Sequence, residues 1–425
     1  MTRLTKSTIL ALFLTPAMIL ASEGDTPSSK AQLSLDDLRT FTDVFNQVRS
    51  NFLDESDDQS LLIAAIRGML SELDPHSSYM EADEFRQMDN DSQGRYSGIG
   101  AELDIRDENI KVVFVMQDGP ADKAGIVAGD IITSIDGSDL RGQNLRAAID
   151  SLRGEVGTSV EVTVQHLNGE VSTFSLTRDF VEVASVFSRP VDRDYGYFQI
   201  THFTRKSADE LLEQVDYMQQ NRQAPLKGIV LDLRGNPGGV LNPAITIADG
   251  FLDEGLIVST RGRSADQQEY TAEPGQWMEN MPVVVLVDRS TASASEVLAG
   301  ALQDHGRALI VGERTFGKGS VQSVLNLRNG AGVRLTTSRY YTPAGRSIQA
   351  EGIQPDVEIV PVKVLEEDGA HKREVDLERH LVREPGNGTV IFGSEVSAAD
   401  DYMMYQALLL LKAAGILPAG AETRQ

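Results

Sequence analysis

The 425-residue chain has no cysteine, a single tryptophan and six histidines, His76, His166, His202, His305, His371 and His380, which are scattered and carry no recognisable signature. Without thiols, disulfides, metal thiolates and cysteine nucleophiles are excluded. Positive charge is also short: 39 Lys and Arg stand against 63 Asp and Glu, a net charge of −24. Such an acidic chain is a poor partner for nucleic acid or an anionic membrane surface. Long apolar runs are scarce too. The run at residues 9–20 follows Arg3 and Lys6, is broken by Pro16 and ends at Ala21 and Ser22 before Glu23. It is shorter than the roughly 20 residues that span a bilayer, so it reads as a secretory signal peptide cut after Ala21 or Ser22 rather than as an anchor helix. No cysteine follows it to take a lipid.

What is present is length enough for two or three cores, organised around residues 281–322. Val283-Val284-Val285-Leu286-Val287 shows no polar alternation and reads as a strand buried on both faces. Ser290-Thr291-Ala292-Ser293-Ala294-Ser295-Glu296 follows, and Val297, Leu298, Ala301 and Leu302 then fall at helical spacing. A strand-to-helix turn of small hydroxyl residues holds a hydroxyl clear of the backbone and leaves helix-N-terminal amides free for a developing negative charge. Taken alone, its serines are as readily helix caps. A second buried strand, residues 308–311, leads to Gly312-Glu313-Arg314-Thr315-Phe316-Gly317-Lys318-Gly319-Ser320-Val321-Gln322.

A serine nucleophile needs a base, and here a lysine is better placed than any histidine. It must be neutral, which requires loss of water from an amine of reference pKa about 10.4. A Phe316/Gly317 collar without an adjacent carboxylate suits that, Glu313 being the nearest acid in sequence. The Gln322 amide oxygen, four residues on, can orient the amine without charging it. Gly312, Gly317 and Lys318 also satisfy a phosphate-loop spacing. However, Gly319 replaces the magnesium-binding Ser or Thr, and residues 320–327 alternate as a strand where a phosphate loop opens a helix.

Thr291-Ala292-Ser293-Ala294-Ser295-Glu296, Phe316-Gly317-Lys318-Gly319 and Val321-Gln322 resemble the catalytic blocks of the C-terminal processing peptidases, or tail-specific proteases, with Lys318 25 positions after Ser293. Thr291 departs from that family's Ser-Ala-Ser opening. The resemblance implies a serine endopeptidase with catalytic Ser293, Lys318 and Gln322 and no cofactor or metal. It also implies an oxyanion hole from the Ala294 amide and one from Gly238 or Gly239, in the tract Arg234-Gly235-Asn236-Pro237-Gly238-Gly239 that follows the buried run at residues 228–233. By themselves, glycines after a strand simply make a turn.

The expected fold is mixed α/β and multidomain. After the signal peptide (1–22) come a helical region (23–92), a PDZ domain (93–178), the α/β protease core (179–360) and a tail (361–425). Apolar stripes Leu38, Phe41, Val44, Val48 and Leu61, Leu62, Ile66, Met69 mark two helices, ending at Leu73-Asp74-Pro75-His76, where His76 reads as a turn residue. Ser97-Gly98-Ile99-Gly100 and the tract at residues 120–137 look like a bacterial PDZ domain, whose glycine-loop amides close on a peptide carboxylate while the next strand adds the peptide as a strand. Arg153, after the groove helix at 144–152, is the residue through which the resemblance has such a domain gate the core; otherwise it is a solvated helix-end cation. Strands are expected at 197–203, 227–233 and 333–341 and a helix at 207–218. A polar region, 366–388, precedes a last helix, 402–414, with Ser397 and Asp400 at its start. The partners implied are proteins or peptides with free C-termini, in an exported enzyme read as periplasmic, with membrane-peripheral placement as the alternative; an adaptor protein and a homo-oligomer stay open. The rival class is a non-catalytic PDZ scaffold.

Overall fold

The computed structural model describes residues 33–106, 108–141, 143–222, 224–263, 267–278, 281–360, 362, 397 and 400–416. The expected signal peptide and the polar region at 366–388 lie outside the described residues. The chain divides after Gly68 into two compact units. The first holds α1 (Leu35–Asn51) and most of α2 (Asp58–Ser71). Ser34 caps α1: its Oγ accepts from the Asp37 amide at 3.0 Å, while the Asp37 carboxylate accepts the Ser34 amide at 3.2 Å. Asp36 and Asp37 in the first turn and Arg49 in the last suit the helix dipole.

In the second unit β1 (Ser78–Met80), α3 (Ala82–Ser92) and β2 (Arg95–Gly98) come first. An antiparallel sheet follows: β3 (Ala101–Arg106), β4 (Asn109–Val115), α4 (Pro120–Ala124), β5 (Ile131–Ile135), β6 (Ser138–Asp139), α5 (Leu145–Ser151), β7 (Ser159–Gln165) and β8 (Val171–Thr177). Its order is β3-β4-β5-β7-β8, with β6 on β5. Val160, Val162 and Val164 alternate inward from β7 onto Ile110, Ile132 and Leu176, and α5 closes this core with Ala148 and Leu152. β9 (Asp179–Glu182) returns to pair with β2.

The rest of the unit is α/β. In chain order it runs β10 (Val186–Val191), β11 (Tyr195–Ile200), α6 (Ser207–Gln220), β12 (Gly228–Asp232), α7 (Leu241–Phe251), β13 (Leu256–Gly262), β14 (Gln268–Thr271), β15 (Val283–Val287), α8 (Ala294–Asp304), β16 (Leu309–Gly312), β17 (Ser320–Asn326), β18 (Gly332–Tyr341), β19 (Val357–Glu358) and α9 (Tyr402–Ile416). The main sheet has the order β10-β11-β12-β15-β16-β19 and is parallel from β11 onward. One face packs on α6, α7 and α8, the other on α9 through Met404, Ala407, Leu408 and Leu411. Every residue of β12 and β15 is therefore buried, which is why neither strand shows alternation. The second sheet runs β1-β18-β13-β14, with β17 on β18.

The last helix differs from expectation at its start. The carboxylate that caps it is Asp401, whose Oδ1 accepts the Met404 amide at 3.0 Å. The apolar face of α9 packs within its own chain, leaving Leu409 exposed. Among the described residues no helix is long and apolar enough to cross a membrane.

Candidate active site

Parallel β12, β15 and β16 are neighbours in register, so the chain leaving each C-terminal end emerges beside the other two. Such strand ends are where open α/β sheets place ligands. Three segments arrive there: 233–239 after β12, 288–293 after β15 and 313–318 after β16.

Asn236 ties the first segment to the second. Its carbonyl accepts the Ala292 amide (2.9 Å) and the Ser295 hydroxyl (3.2 Å), while its side chain donates to Ile200 O (2.8 Å) and accepts the Gly238 amide (2.9 Å). Thr291 Oγ1 donates to Leu233 O at 2.9 Å, so the threonine at the opening position serves as a cross-link. Ser293 then sits at φ 58°, ψ −116°, a conformation rare for a residue with a side chain, immediately before α8. It is 8% exposed. Gly238 abuts it: a Cβ on Gly238 would stand 2.8 Å from Ser293 Cβ and 3.1 Å from the Ala294 nitrogen. With the Gly238 amide committed to Asn236, the Gly239 amide and the Ala294 amide, first of α8, hydrogen-bond to no described residue.

Glu296 joins the second segment to the third. Its Oε2 accepts the amides of Ser293 (2.8 Å) and Lys318 (2.9 Å), and its Oε1 accepts the Gly317 amide (2.7 Å) and the Thr315 hydroxyl (2.5 Å). Two nitrogens on one oxygen bring the Ser293 and Lys318 backbones within about 6 Å of each other. Burial pushes the Glu296 carboxyl up, opposed by these donors.

Lys318 is half-buried, and its amine is held below the ordinary lysine range by loss of water and, second, by the Arg334 cation; Glu296 pulls the other way. Two expectations are corrected here. Phe316 is 64% exposed and forms no collar, and the nearby carboxylate is Glu296 rather than none, while Glu313 is occupied by Arg289 at 2.7 Å. Lys318 Nζ hydrogen-bonds to no described residue, Gln322 included. The Gln322 amide nitrogen donates to Ser320 Oγ (2.8 Å) and Ser320 O (3.1 Å), with Thr336 Oγ1 at 3.5 Å. The chain after Lys318 continues into β17, not into the helix a phosphate loop requires.

At the other candidate site β2 ends at Gly98, Ile99 is buried and Gly100 has φ 74°. The carbonyls of Ile99 and Gly100 accept the amides of Ala121 and Met116, while their own amides meet no described acceptor. β3, which follows, is an edge strand. Arg153 lies with its guanidinium 5.5 Å from the Tyr96 ring centre, close enough to Asp91 on α3 to stabilise that carboxylate, which burial otherwise raises. Asp91, Arg153, Tyr96 and Ser97 line a cavity of about 760 Å³. The ion pair that crosses from α3 to the chain after α5 is Arg86 to Glu155, at 3.0 Å.

Residues 194–359 match Peptidase family S41, residues 112–166 match a PDZ domain, and residues 16–84 match the N-terminal domain of the activating protease CtpB. The chain is 42% identical to the carboxy-terminal-processing protease of Bartonella bacilliformis over 352 residues, 82% of this chain and 81% of that one. It belongs to the carboxy-terminal processing proteases. It is also 35% identical to the carboxy-terminal processing protease CtpA of Bacillus subtilis, over 74% of this chain and 67% of that protein. Among solved structures, a photosystem II D1 C-terminal processing protease aligns at 31% identity, covering 77% of this chain and 94% of that one, with a TM-score of 0.46.

Three residues of this processing protease escaped the sequence reading. Glu296 had a signal, since it stands three residues after Ser293 at capping-box spacing. Asn236 had none, because an Asn in a glycine turn is ordinary. Asp74 lies beside β18, where its carboxylate takes the Ser77 hydroxyl (2.7 Å), the His76 amide (2.8 Å) and the Thr336 hydroxyl (3.1 Å). His76 keeps a turn role through its amide, and burial and then the Lys318 charge depress its imidazole. Among the described residues no group of His, Asp or Glu converges as a metal site.

Proposed function

We propose that this serine protease cuts polypeptides through an acyl-enzyme, with Ser293 as nucleophile and Lys318 as base, on substrates whose C-termini are held by the PDZ domain. The observation that carries the reading is the Glu296 carboxylate, one oxygen of which binds the backbone of both Ser293 and Lys318. The neutral Lys318 amine takes the Ser293 Oγ proton as Oγ bonds to the scissile carbonyl carbon. The oxyanion receives the Ala294 and Gly239 amides; Gly239 is preferred to Gly238 because the Gly238 amide is already spent on Asn236. Collapse breaks the C–N bond as Lys318 returns the proton to the leaving amine; the Lys318 amine, neutral again, then takes a proton from the water that attacks the ester and gives it to Ser293 Oγ as the acyl C–O bond breaks. Ser320 holds the Gln322 amide nitrogen, and the role assigned to the remaining amide oxygen is to orient the lysine when substrate is bound. The free amides of Ile99 and Gly100 support carboxylate binding at the glycine loop.

Ser293→Ala is expected to abolish peptide cleavage with melting temperature and circular dichroism near wild type, whereas Ser295→Ala retains activity. Substantial cleavage by the Ser293 variant sinks the assignment. Export to the periplasm rests on the apolar run behind Arg3 and Lys6, and fractionation of the full-length protein tests it. Arg153 is the proposed gate between PDZ domain and core. An adaptor and self-association remain part of this reading only as partners to look for by co-purification.

A further inference from the structure

A guanidinium drawn into a fold normally finds acceptors for its hydrogens. Arg307 donates to the carbonyls of Phe251, Met278 and Met281 at 2.7–2.9 Å, and Arg178 to Ser151 O, Leu152 O, Ser159 O and Thr158 Oγ1 at 2.9–3.1 Å. Arg334, on β18, has no such outlet. It is half-buried, its Nε is shut away from water, and its side chain makes no hydrogen bond or ion pair with any described residue. Acids are not scarce in this chain, at 63 against 39 Lys and Arg, yet none is set against it among the described residues. The residue opposite repeats the pattern. β1 pairs with β18 so that Ser78 faces Arg334 on the same side of the sheet, and Ser78 Oγ is likewise buried without a partner. Two donors that share a face and lack an acceptor leave room for an anion. Asp74 does not supply it, because its carboxylate is taken by Ser77, His76 and Thr336.

These two donors lie beside the groups assigned to catalysis. Thr336, two residues along β18 from Arg334 and on the same face, is paired with Gln322, so Arg334 stands about 7 Å along the sheet from the Gln322 pair. Its charge is felt at both Lys318 and His76. We propose that Arg334, with the Ser78 hydroxyl, forms a substrate subsite that takes a carboxylate of the polypeptide close to the cut, supplied by an Asp or Glu side chain or by the free C-terminus. This rests on the proposed function. A carboxylate is the anion that every polypeptide carries, and its two oxygens match the guanidinium fork. A neutral side chain would leave both donors unpaired, and a basic one would meet the Arg334 charge. The lack of an internal acid at Arg334 has a reason on this reading, since a resident carboxylate would compete with the one arriving on substrate.

The test reads a ratio of kcat/KM values on one enzyme, so that any change in the Lys318 amine caused by removing Arg334 cancels. The full-length enzyme is given two peptide series. In the first, amidated at the C-terminus to keep the PDZ groove out of the comparison, a single Glu is walked through the positions on either side of the cut and each peptide is compared with its Gln twin. In the second, the segment beyond the cut is shortened residue by residue, each length being made as free acid and as amide. The expected result is one position or one length at which the carboxylate form is preferred by about fivefold or more, falling to under about twofold in Arg334→Gln. The series that shows it identifies the source of the carboxylate. Ser78→Ala, which keeps the charge, should lower the preference by about two- to threefold. Ratios under about twofold throughout in wild type, or a preference that Arg334→Gln leaves intact, overturn the proposal. Circular dichroism checks that Arg334→Gln folds; if it does not, Ser78→Ala decides, and an undiminished preference overturns the subsite. Ser293→Ala should cleave none of these peptides yet bind the preferred one more tightly than its neutral twin, which separates failure of the nucleophile from failure of the subsite.

Discussion

Lys318 needs its surroundings more than Ser293 does, because a solvated lysine is a cation at neutral pH and takes no proton. Loss of water and the Arg334 charge lower its pKa, while Glu296 limits the drop. The sign of the pH dependence follows. In the proposed mechanism the working form is the neutral amine, so activity should rise with pH through an apparent pKa below the usual lysine value and stay high above it. Lys318→Arg should be inactive at every pH because a guanidinium does not deprotonate. An active arginine variant, read in a pH profile of kcat/KM, would show that another group takes the proton. Stability rises with pH as well. A cation whose folded pKa is depressed opposes folding in full below that pKa, and the penalty fades as pH climbs from the folded value to the ordinary lysine value. Lys318→Met should therefore raise the melting temperature at neutral pH, by about 1–3 °C, as activity is lost, and this difference should shrink as pH rises through the lysine pKa.

At the scale of elements, the site is three turns leaving adjacent parallel strands, and two glycines decide how closely they approach. Gly239 has φ 136°, and a Cβ there would lie 2.2 Å from the carbonyl oxygen of Phe203, with which this turn exchanges backbone hydrogen bonds. Gly238, at φ 99°, would instead push into Ala292 O and Ser293. Both contacts are with backbone or with the serine itself and have no flexible end to yield. Gly239→Ala is expected to separate the first turn from the Phe203 chain and destabilise the fold by about 2 kcal/mol or more, visible as a lower denaturant midpoint. An unchanged midpoint with full activity would mean that the turn has slack. Much of this layer was legible in the sequence. Buried runs at residues 228–233 and 283–287 pointed to the strands observed at Gly228–Asp232 and Val283–Val287, and the helical spacing after Ser293 to α8, because strands covered on both faces and helices with one apolar face leave plain periodicities.

For the whole molecule, the question is how the PDZ sheet and the terminal helix bear on the core. Arg234, which opens the glycine turn, pairs with Asp232 at the end of β12 (2.6 Å) and with Asp401 at the start of α9 (2.8 Å). Removing one charge from a mostly buried cluster leaves the others under-compensated. Asp401→Asn should cost about 1–2 kcal/mol, measured by denaturant unfolding, and loosen the turn beside Ser293; no change would separate α9 from the site. On the PDZ side, Arg86–Glu155 is mostly exposed and contributes little to stability by itself. Arg153, beside Asp91 and Tyr96, is the residue proposed as the gate. A ligand can open a closed form only by its differential affinity for the open one. A second, uncleavable peptide with a free C-terminus should therefore stimulate reporter hydrolysis, its amide should not, and Arg153→Ala should abolish the stimulation while still binding peptide. Equal rates in all arms would leave the PDZ domain as a tether.

The sequence by itself determined the fold class and the family, because short motifs at fixed spacing, Thr291 to Glu296 and Phe316 to Gln322, sit in runs whose periodicity fixes strand or helix locally. It also determined that thiol chemistry plays no part. Only the tertiary structure decided what surrounds Lys318, where Glu296 and Arg334 replace the neighbours expected from sequence, since electrostatic environment depends on distance through space. The same holds for the two glycines. Which amide is spent depends on the side chain of Asn236, and hydrogen-bond partners between the ends of adjacent strands are set by sheet register, a relation between segments that no single segment encodes.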